Sequence, residues 1–141
     1  MRLAADRDMV ARQYAEDFRD VFQVVVPWLQ VAMGEEENLS RAIVRTHLQL
    51  MAEFPDSLIA RKLGPAIAQQ AADRAKQVLD SGPLGSPEYQ RELAELDFWL
   101  RIDGNRRNPG TTADLLAAGL FVLLCEGLIQ PPFRLADWSN D

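Results

Sequence analysis

The loop and helix start between residues 106 and 114 have the residue types of an anion-binding site. Thr111 is followed three residues later by Asp114, an acidic variant of the capping box that opens helices. Pro109 and Gly110 fix the turn just before it. Free N–H groups at a helix start, together with the helix dipole, bind phosphate oxygens. Physical chemistry alone leaves two interpretations open, a phosphate site and an ordinary capped helix.

Carboxylates and arginines around this helix start could hold a metal-bound phosphate. Asp114 opens an otherwise apolar helix, so we expect its carboxylate to be partly buried and paired with a metal or with Arg101 or Arg107. Asp97 and Arg101 lie four residues apart on the preceding helix, at the border of its apolar stripe. They either take part in this site or form an exposed ion pair with each other. Arg106 and Arg107 either contact phosphate or stay solvated.

Further ionisable side chains are candidates, although a structural role is favoured for each: Asp8, Arg12, His47, Asp56, Arg61 and Lys62. The first two are expected to form a surface ion pair with each other. The histidine, the only one in the chain, lies among apolar residues and is typical of a satisfied core histidine. The aspartate at position 56 is expected to cap a short helix. The sequence contains no Cys/His metal spacing, Walker-type loop or nucleophile elbow.

Apolar residues recur at three- and four-residue steps along the chain, which predicts an all-α fold. The pattern indicates one domain over residues 1–141, a bundle of about six helices around a central, apolar C-terminal helix. Pro27 is expected to kink or end the first helix. The expected helices cover residues 1–31, 35–54, 57–63, 65–79, 87–102 and 112–129.

Composition and net charge limit the partners and the cellular location that we expect for the protein. The net charge is -6, from 15 basic and 21 acidic residues, which disfavours nucleic acid as the main partner. The longest apolar stretch, residues 115–124, is too short to cross a bilayer, so no membrane partner is expected. A single cysteine, Cys125, gives no disulfide framework, and a cytoplasmic location follows as the simplest expectation.

Three segments resemble one known family. Residues 108–118, Asn-Pro-Gly-Thr-Thr-Ala-Asp-Leu-Leu-Ala-Ala, are similar to the C-terminal signature of triphosphoribosyl-dephospho-CoA synthases. Residues 55–62, Pro-Asp-Ser-Leu-Ile-Ala-Arg-Lys, and 7–14, Arg-Asp-Met-Val-Ala-Arg-Gln-Tyr, also resemble segments of that family, in the same order. The resemblance covers most of the chain.

The resemblance implies an all-α transferase that uses ATP and 3′-dephospho-CoA. Such an enzyme joins the ATP ribose to a ribose hydroxyl of dephospho-CoA and releases adenine. Asp97 and Asp114 would then hold Mg²⁺ or activate the hydroxyl, since a triphosphate substrate brings the metal with it. Phosphates would be contacted by Arg61, Lys62, Arg101, Arg106, Arg107, Asn108 and the backbone amides of Gly110, Thr111 and Thr112.

Family members are about twice as long, and their Lys-Pro-Gly and Asn-Thr-His-Lys-Gly motifs are missing here. The chain therefore resembles the C-terminal half alone. An alternative function is a non-catalytic helical module that binds a nucleotide or docks with a separate N-terminal half. A half-protein of this kind is expected to expose an apolar patch, which a homo-oligomer could also cover.

Overall fold

A computed structural model describes residues 8–133 and contains only helices and turns within that range. The all-α prediction is confirmed. The helices are α1 (Met9–Ala15), α2 (Val26–Glu35), α3 (Leu39–Glu53), α4 (Ser57–Leu63), α5 (Pro65–Asp80), α6 (Pro87–Arg101) and α7 (Gly110–Cys125), with a π-helical turn at Val21–Val25. No helix of the described residues is long and apolar enough to cross a membrane.

The first predicted helix is two helices in the structure. Its residues 1–7 lie outside the described range, and the rest breaks after α1, where Asp17 and Phe18 adopt positive φ angles of 54° and 57°. The buried Gln13 side chain accepts a hydrogen bond from the Asp20 amide at 3.0 Å and donates to the Asp20 carboxylate at 2.7 Å. These two hydrogen bonds hold the two sides of the break together. The spacing of apolar residues could not reveal the break, since it depends on a polar side chain.

The Asp20 carboxylate also receives the Arg12 guanidinium. Burial raises the pKa of Asp20, but hydrogen bonds from Arg12 and Gln13 and the charges of Arg12 and Arg19 outweigh it, so the pKa is lower than usual. The predicted Asp8–Arg12 ion pair is therefore wrong, because Arg12 turns to Asp20 across the break.

Pro27 neither ends nor interrupts the helical segment that contains it. It lies in the first turn of α2, directly after the π-helical turn. A proline offers no N–H, and a helix start is where that donor is not needed.

The later helix starts follow their local signals. Asn38 caps α3 by accepting from the Arg41 amide at 2.9 Å, so α3 begins four residues later than residue 35. Gly64, with a φ of 95°, separates α4 from α5, and Pro65 occupies the first turn of α5. Ser86 caps α6 by accepting from the Tyr89 amide. Each of these three boundaries depends on residues that lie within four positions of one another, and such local signals can be identified in the sequence.

Helix α3 lies between two hydrophobic cores. Leu48 and Met51 of α3 pack with α4, α5 and α6, whereas Leu50 packs with the π-helical turn, α2 and α7. The prediction that α7 is the buried centre of the bundle is not confirmed. One face of α7 is buried, but Phe121 and Leu124 on the other face are 66% and 45% exposed.

Gly119 sets the distance at which α7 packs. A Cβ atom there would lie 2.5 Å from Val25 Cγ1 and 3.1 Å from Leu29 Cδ1, both on fully buried side chains. The lack of a side chain therefore lets α7 approach the π-helical turn and α2 closely.

Gly119→Ala is expected to lower the free energy of unfolding by roughly 1–2 kcal/mol, because overpacking outweighs the gain in helix propensity. Gly34→Ala is the matched control, since Gly34 is also helical and has no atom within 4 Å of an added Cβ. That variant should be unchanged or stabilised by up to about 1 kcal/mol. Urea unfolding of both proteins measures the difference, and equal effects would contradict the close-packing argument.

Candidate functional site

A single buried carboxylate, that of Asp56, joins the starts of two helices. Its Oδ1 accepts from the amides of Leu58 and Ile59 at 2.9 and 3.1 Å and so caps α4. Its Oδ2 accepts from the amide and the hydroxyl of Thr112, both at 2.8 Å, and so caps α7. Asp56 is only 4% exposed, and four donors satisfy its charge. The predicted cap of the short helix is confirmed, and its bond to α7 was missed.

The start of α1 joins the same cluster. Ser57 donates its hydroxyl to Thr111 Oγ1 at 3.0 Å and accepts from the Met9 amide at 3.3 Å. The starts of α1, α4 and α7 thus converge around four side chains that are buried or half-buried, those of Asp56, Ser57, Thr111 and Thr112. Ser57 was not predicted, since its partners lie 48 and 54 residues away.

Two of the three backbone amides of the predicted phosphate cradle at the α7 start have partners within the fold. The Thr112 amide is taken by Asp56, and the Gly110 amide donates to the Asn108 carbonyl at 2.9 Å. Pro109 is the N-cap, so Thr111 and Asp114 do not form the expected capping box. The Asp56 carboxylate therefore accepts the hydrogen bond from the Thr112 amide that a ligand phosphate was predicted to accept.

Asp114 differs from its prediction as well. It is exposed rather than partly buried, because α7 turns this residue away from the core. It lines a cavity of about 400 Å³ together with Asp8, Arg61, Gly110 and Thr111. Asp8 caps α1, accepting from the Val10 amide at 2.9 Å, and pairs with Arg61 at 3.1 Å.

A larger cavity, of about 660 Å³, lies between α3 and α6. Its walls are mostly apolar and come from Leu48, Met51 and their neighbours on α3 and from Leu93, Leu96 and Leu100 on α6. We call this cavity the α3–α6 cleft. Such dimensions and an apolar lining are typical of small-molecule sites.

Polar groups line the α3–α6 cleft at a few places. They are His47 on α3, Asp97 and Arg101 on α6, and Asn105 and Asn108 on the loop before α7. Four of the five were sequence candidates. Asn105 was missed; it has a φ of 63° after Gly104 and accepts from the Asn108 amide through its carbonyl.

The His47 imidazole carries an unpartnered buried atom. No hydrogen-bond partner lies at its Nε2, so it is not the satisfied core histidine that was predicted. Burial lowers its pKa below the usual value near 6.5, and the negative charge of Asp56 opposes that shift only in part. A neutral imidazole lining the cleft can donate or accept one hydrogen bond with a ligand.

Asp97 and Arg101 form the exposed ion pair that was one of the two alternatives. Arg101 Nε donates to both carboxylate oxygens of Asp97, at 2.9 and 3.0 Å. The side chains are 56% and 71% exposed, so the pair adds little to stability and is free to rearrange around a ligand.

The remaining basic candidates are spread over the surface. Arg107 packs on the indole of Trp99 at 4.3 Å and donates to the Trp99 carbonyl at 3.2 Å, so its guanidinium is engaged in the fold. Arg106 is exposed and 3.9 Å from Asp103, and Lys62 is exposed on α4. The two arginines next to each other in sequence therefore have different environments.

The predicted metal pair does not share a site. Asp97 lines the α3–α6 cleft and Asp114 lines the smaller cavity. Across residues 8–133 no group of three or more His, Cys, Asp or Glu side chains is arranged to hold an ion. Among the candidate carboxylates, Asp8 and Asp114 line the same cavity.

Residues 1–132 match the family described as ATP:dephospho-CoA triphosphoribosyl transferase. The chain belongs to this family. It is 31% identical over 129 residues to a probable 2-(5''-triphosphoribosyl)-3'-dephosphocoenzyme-A synthase of Pseudomonas syringae pv. tomato. That alignment covers 91% of this chain and 44% of the relative, so the chain spans less than half of the relative's length. No solved structure matches the chain.

Within this triphosphoribosyl transferase family member, the two helix-start segments that suggested the family, residues 55–62 and 108–118, are joined by the Asp56–Thr112 bonds. The third, residues 7–14, adds Met9 through Ser57, while its Arg7 lies outside the described residues. The segments are therefore neighbours in space.

Asp56→Asn is expected to lower the free energy of unfolding by roughly 1–3 kcal/mol, because an amide presents an N–H group where the carboxylate accepts four hydrogen bonds. Asp114→Asn is the matched control, since that carboxylate is exposed on α7 and its loss should cost less than about 0.5 kcal/mol. Denaturant unfolding measures both. Equal losses in the two variants would contradict the shared-cap interpretation.

The His47 imidazole is expected to titrate below pH 6.5 in an NMR pH series, where it gives the chain's only histidine signal. Since the folded pKa is lowered, the unfolded state takes up the proton first as the pH falls. Stability should therefore decrease from about pH 6.5 down to the folded pKa. His47→Gln should remove this pH dependence in that window. A folded pKa at or above 6.5 would contradict the buried, neutral imidazole.

Proposed function

We propose that this chain binds ATP and 3′-dephospho-CoA and takes part in transfer of the triphosphoribosyl group between them. Membership of the triphosphoribosyl transferase family supports the reaction, and the α3–α6 cleft supports the location. Both substrates are adenosine phosphates, with a flat apolar base and charged phosphates. A cleft with apolar walls and a charged rim suits this combination.

The adenine base is proposed to lie between the apolar walls of α3 and α6. His47 lines the cleft, and rotation of its imidazole would bring the unpartnered Nε2 to the edge of the base, where one hydrogen bond fixes the orientation of the base. Asn105 and Asn108 would contact ribose hydroxyls from the loop side of the cleft. This arrangement satisfies a buried nitrogen that has no partner in the protein.

In the proposed reaction, a ribose hydroxyl oxygen of dephospho-CoA attacks C1′ of the ATP ribose. The C1′–O bond forms as the C1′–N9 bond to adenine breaks, and N9 keeps the electron pair. The hydroxyl proton passes to a base, and the adenine leaves after gaining a proton. Asp97 is the proposed base, because its carboxylate lies at the cleft and would also stabilise positive charge building on the sugar.

The triphosphate is proposed to extend from the cleft toward exposed basic groups. Arg101 lies at the rim, and it would exchange its contact with Asp97 for a phosphate contact. Arg106, Arg61 and Lys62 are exposed and would add positive charge, whereas Arg107 is engaged with Trp99. The amides of Gly110 and Thr112 are not part of this phosphate contact, since both have partners in the fold.

Magnesium is proposed to arrive with ATP rather than to reside in the protein. Mg²⁺ is usually held by substrate phosphates and one or two carboxylates, and Asp8 and Asp114 form such a pair in the smaller cavity. The donor set fits a metal–triphosphate complex, and it does not fit a metal bound by protein alone. A cytoplasmic location is proposed with these substrates.

Calorimetry with ATP and Mg²⁺, followed by assay of released adenine with dephospho-CoA present, tests the proposal. Asp97→Asn is expected to reduce adenine release about 10²–10⁴-fold while ATP affinity changes little, as for loss of a general base. Arg101→Gln is expected to weaken ATP binding about tenfold, as for loss of one charged phosphate contact. Arg91→Gln is the matched control, since Arg91 is an exposed arginine of α6 outside the cleft lining.

The outcomes separate the candidate functions. Nucleotide binding without adenine release would favour the non-catalytic binding module, and the absence of binding would contradict both functions. Asp114→Asn should weaken the Mg²⁺ dependence of ATP binding, and unchanged binding in this variant would exclude the metal assignment.

A further inference from the structure

The exposed face of α7 carries a line of apolar side chains. They are Ala117, Phe121 and Leu124, followed by Leu128 in the turn after the helix, and we call them the α7 stripe. Phe121, Leu124 and Leu128 are 66%, 45% and 50% exposed. The spacing of Ala117, Phe121 and Leu124 places these three on one face of α7, opposite the face that Gly119 packs against Val25. Single exposed apolar residues are ordinary, but a continuous line marks a contact surface.

The segment that packs against α7 also carries exposed aromatic side chains. Tyr14 and Phe22 are 60% and 53% exposed, and Phe18 is 37% exposed. The rings of Tyr14 and Phe18 contact each other at 4.9 Å between centroids. Both α1 and the π-helical turn, which carry Tyr14 and Phe22, contact α7, so exposed aromatic side chains occur on two elements that contact this helix.

The length of the relative indicates what covers this face. More than half of the Pseudomonas syringae synthase lies outside its alignment with this chain. A polypeptide of that length is long enough to cover an exposed apolar face of the matched region. Phe98 of α6 and Ile102 directly after it are also exposed, at 67% and 57%, but they form a pair one turn apart, whereas the α7 stripe places three apolar side chains on one helix face and continues to Leu128.

We propose that the α7 stripe is the docking surface for the part of the family's longer protein that lies outside residues 1–132. The occupant carries a complementary apolar face. Asp114 and Phe121 are seven residues apart, which places them within about 20° on the helix. The docked polypeptide would therefore also border the smaller cavity and bring its own groups beside Asp114 and Asp8. This inference rests on family membership and on exposure, and not on the proposed reaction.

Cys125 provides a direct probe of the stripe. It is the only cysteine of the chain, it is exposed, and it lies one turn after Phe121. Its thiol should react rapidly with a disulfide reagent when the stripe is free and slowly when another polypeptide covers it. Labelling therefore measures coverage without requiring activity.

The experiment compares this chain alone with a chimera in which it replaces the aligned region of the Pseudomonas syringae synthase. Cysteines of the added region are changed to serine. Cys125 labelling is expected to be about tenfold or more slower in the chimera, as for a group that reacts only after local opening. Phe121→Ser combined with Leu124→Ser should return the rate to within about twofold of the isolated chain. Ala66→Cys in a Cys125→Ser background is the control, since Ala66 is exposed on α5, away from α7.

Three results would overturn the proposal. The first is equal Cys125 labelling in the chimera and in the isolated chain. The second is equal slowing at Ala66→Cys, which would show a general rather than a local effect. The third is slow labelling in the isolated chain with a dimeric mass by light scattering, which would make a second copy the occupant. Adenine release in any of these samples tests the proposed function separately.

Discussion

The arrangement of the candidate site depends on how the charge of Asp56 is satisfied. Burying a carboxylate is costly unless it accepts hydrogen bonds, and here the amides at the starts of α4 and α7 donate them. The first amides of a helix have no acceptor within the helix, so the same hydrogen bonds satisfy both the Asp56 carboxylate and the two helix starts. Because α4 and α7 are far apart in sequence, this shared acceptor fixes their relative position. The loop before α7 is then held in place at the α3–α6 cleft.

The start of α7 separates the two cavities, and the separation explains how the candidate groups are distributed. Asn108 faces the larger cavity and Gly110 the smaller one, although they are two residues apart. Asp97 and Asp114 consequently belong to different cavities. A substrate with a base at one end and phosphates at the other is the kind of molecule that could use both. The charge of Asp56 also acts on His47, which ties the chemistry of the cleft to the same buried carboxylate.

Sequence patterns predicted the features that depend on neighbouring residues. The helical period, the boundary between the helices at 57–63 and 65–79, the helix start at residue 87 and the resemblance to the family were all available from spans of a few residues. The features that failed depend on distant partners. Thr112 meets Asp56 across 56 positions, and the break after α1 depends on a polar side chain, Gln13, that turns inward. Local composition at the α7 start left a free anion site open as one of two interpretations, because the carboxylate that accepts from Thr112 lies at the start of another helix.

The prediction that α7 is the buried centre of the bundle was not confirmed for a different reason, which bears on function. An all-apolar helix has no pattern that distinguishes a face packed on its own domain from a face packed on another polypeptide. Gly119 identifies the first face, since only contact with Val25 and Leu29 requires the missing side chain. Phe121 belongs to the second face, and Asp114 shares it. The electrostatic interactions of a carboxylate on the rim of an apolar contact surface become stronger when water is excluded, because the local dielectric constant falls. Docking on α7 and chemistry beside Asp114 would therefore be coupled through solvent exclusion.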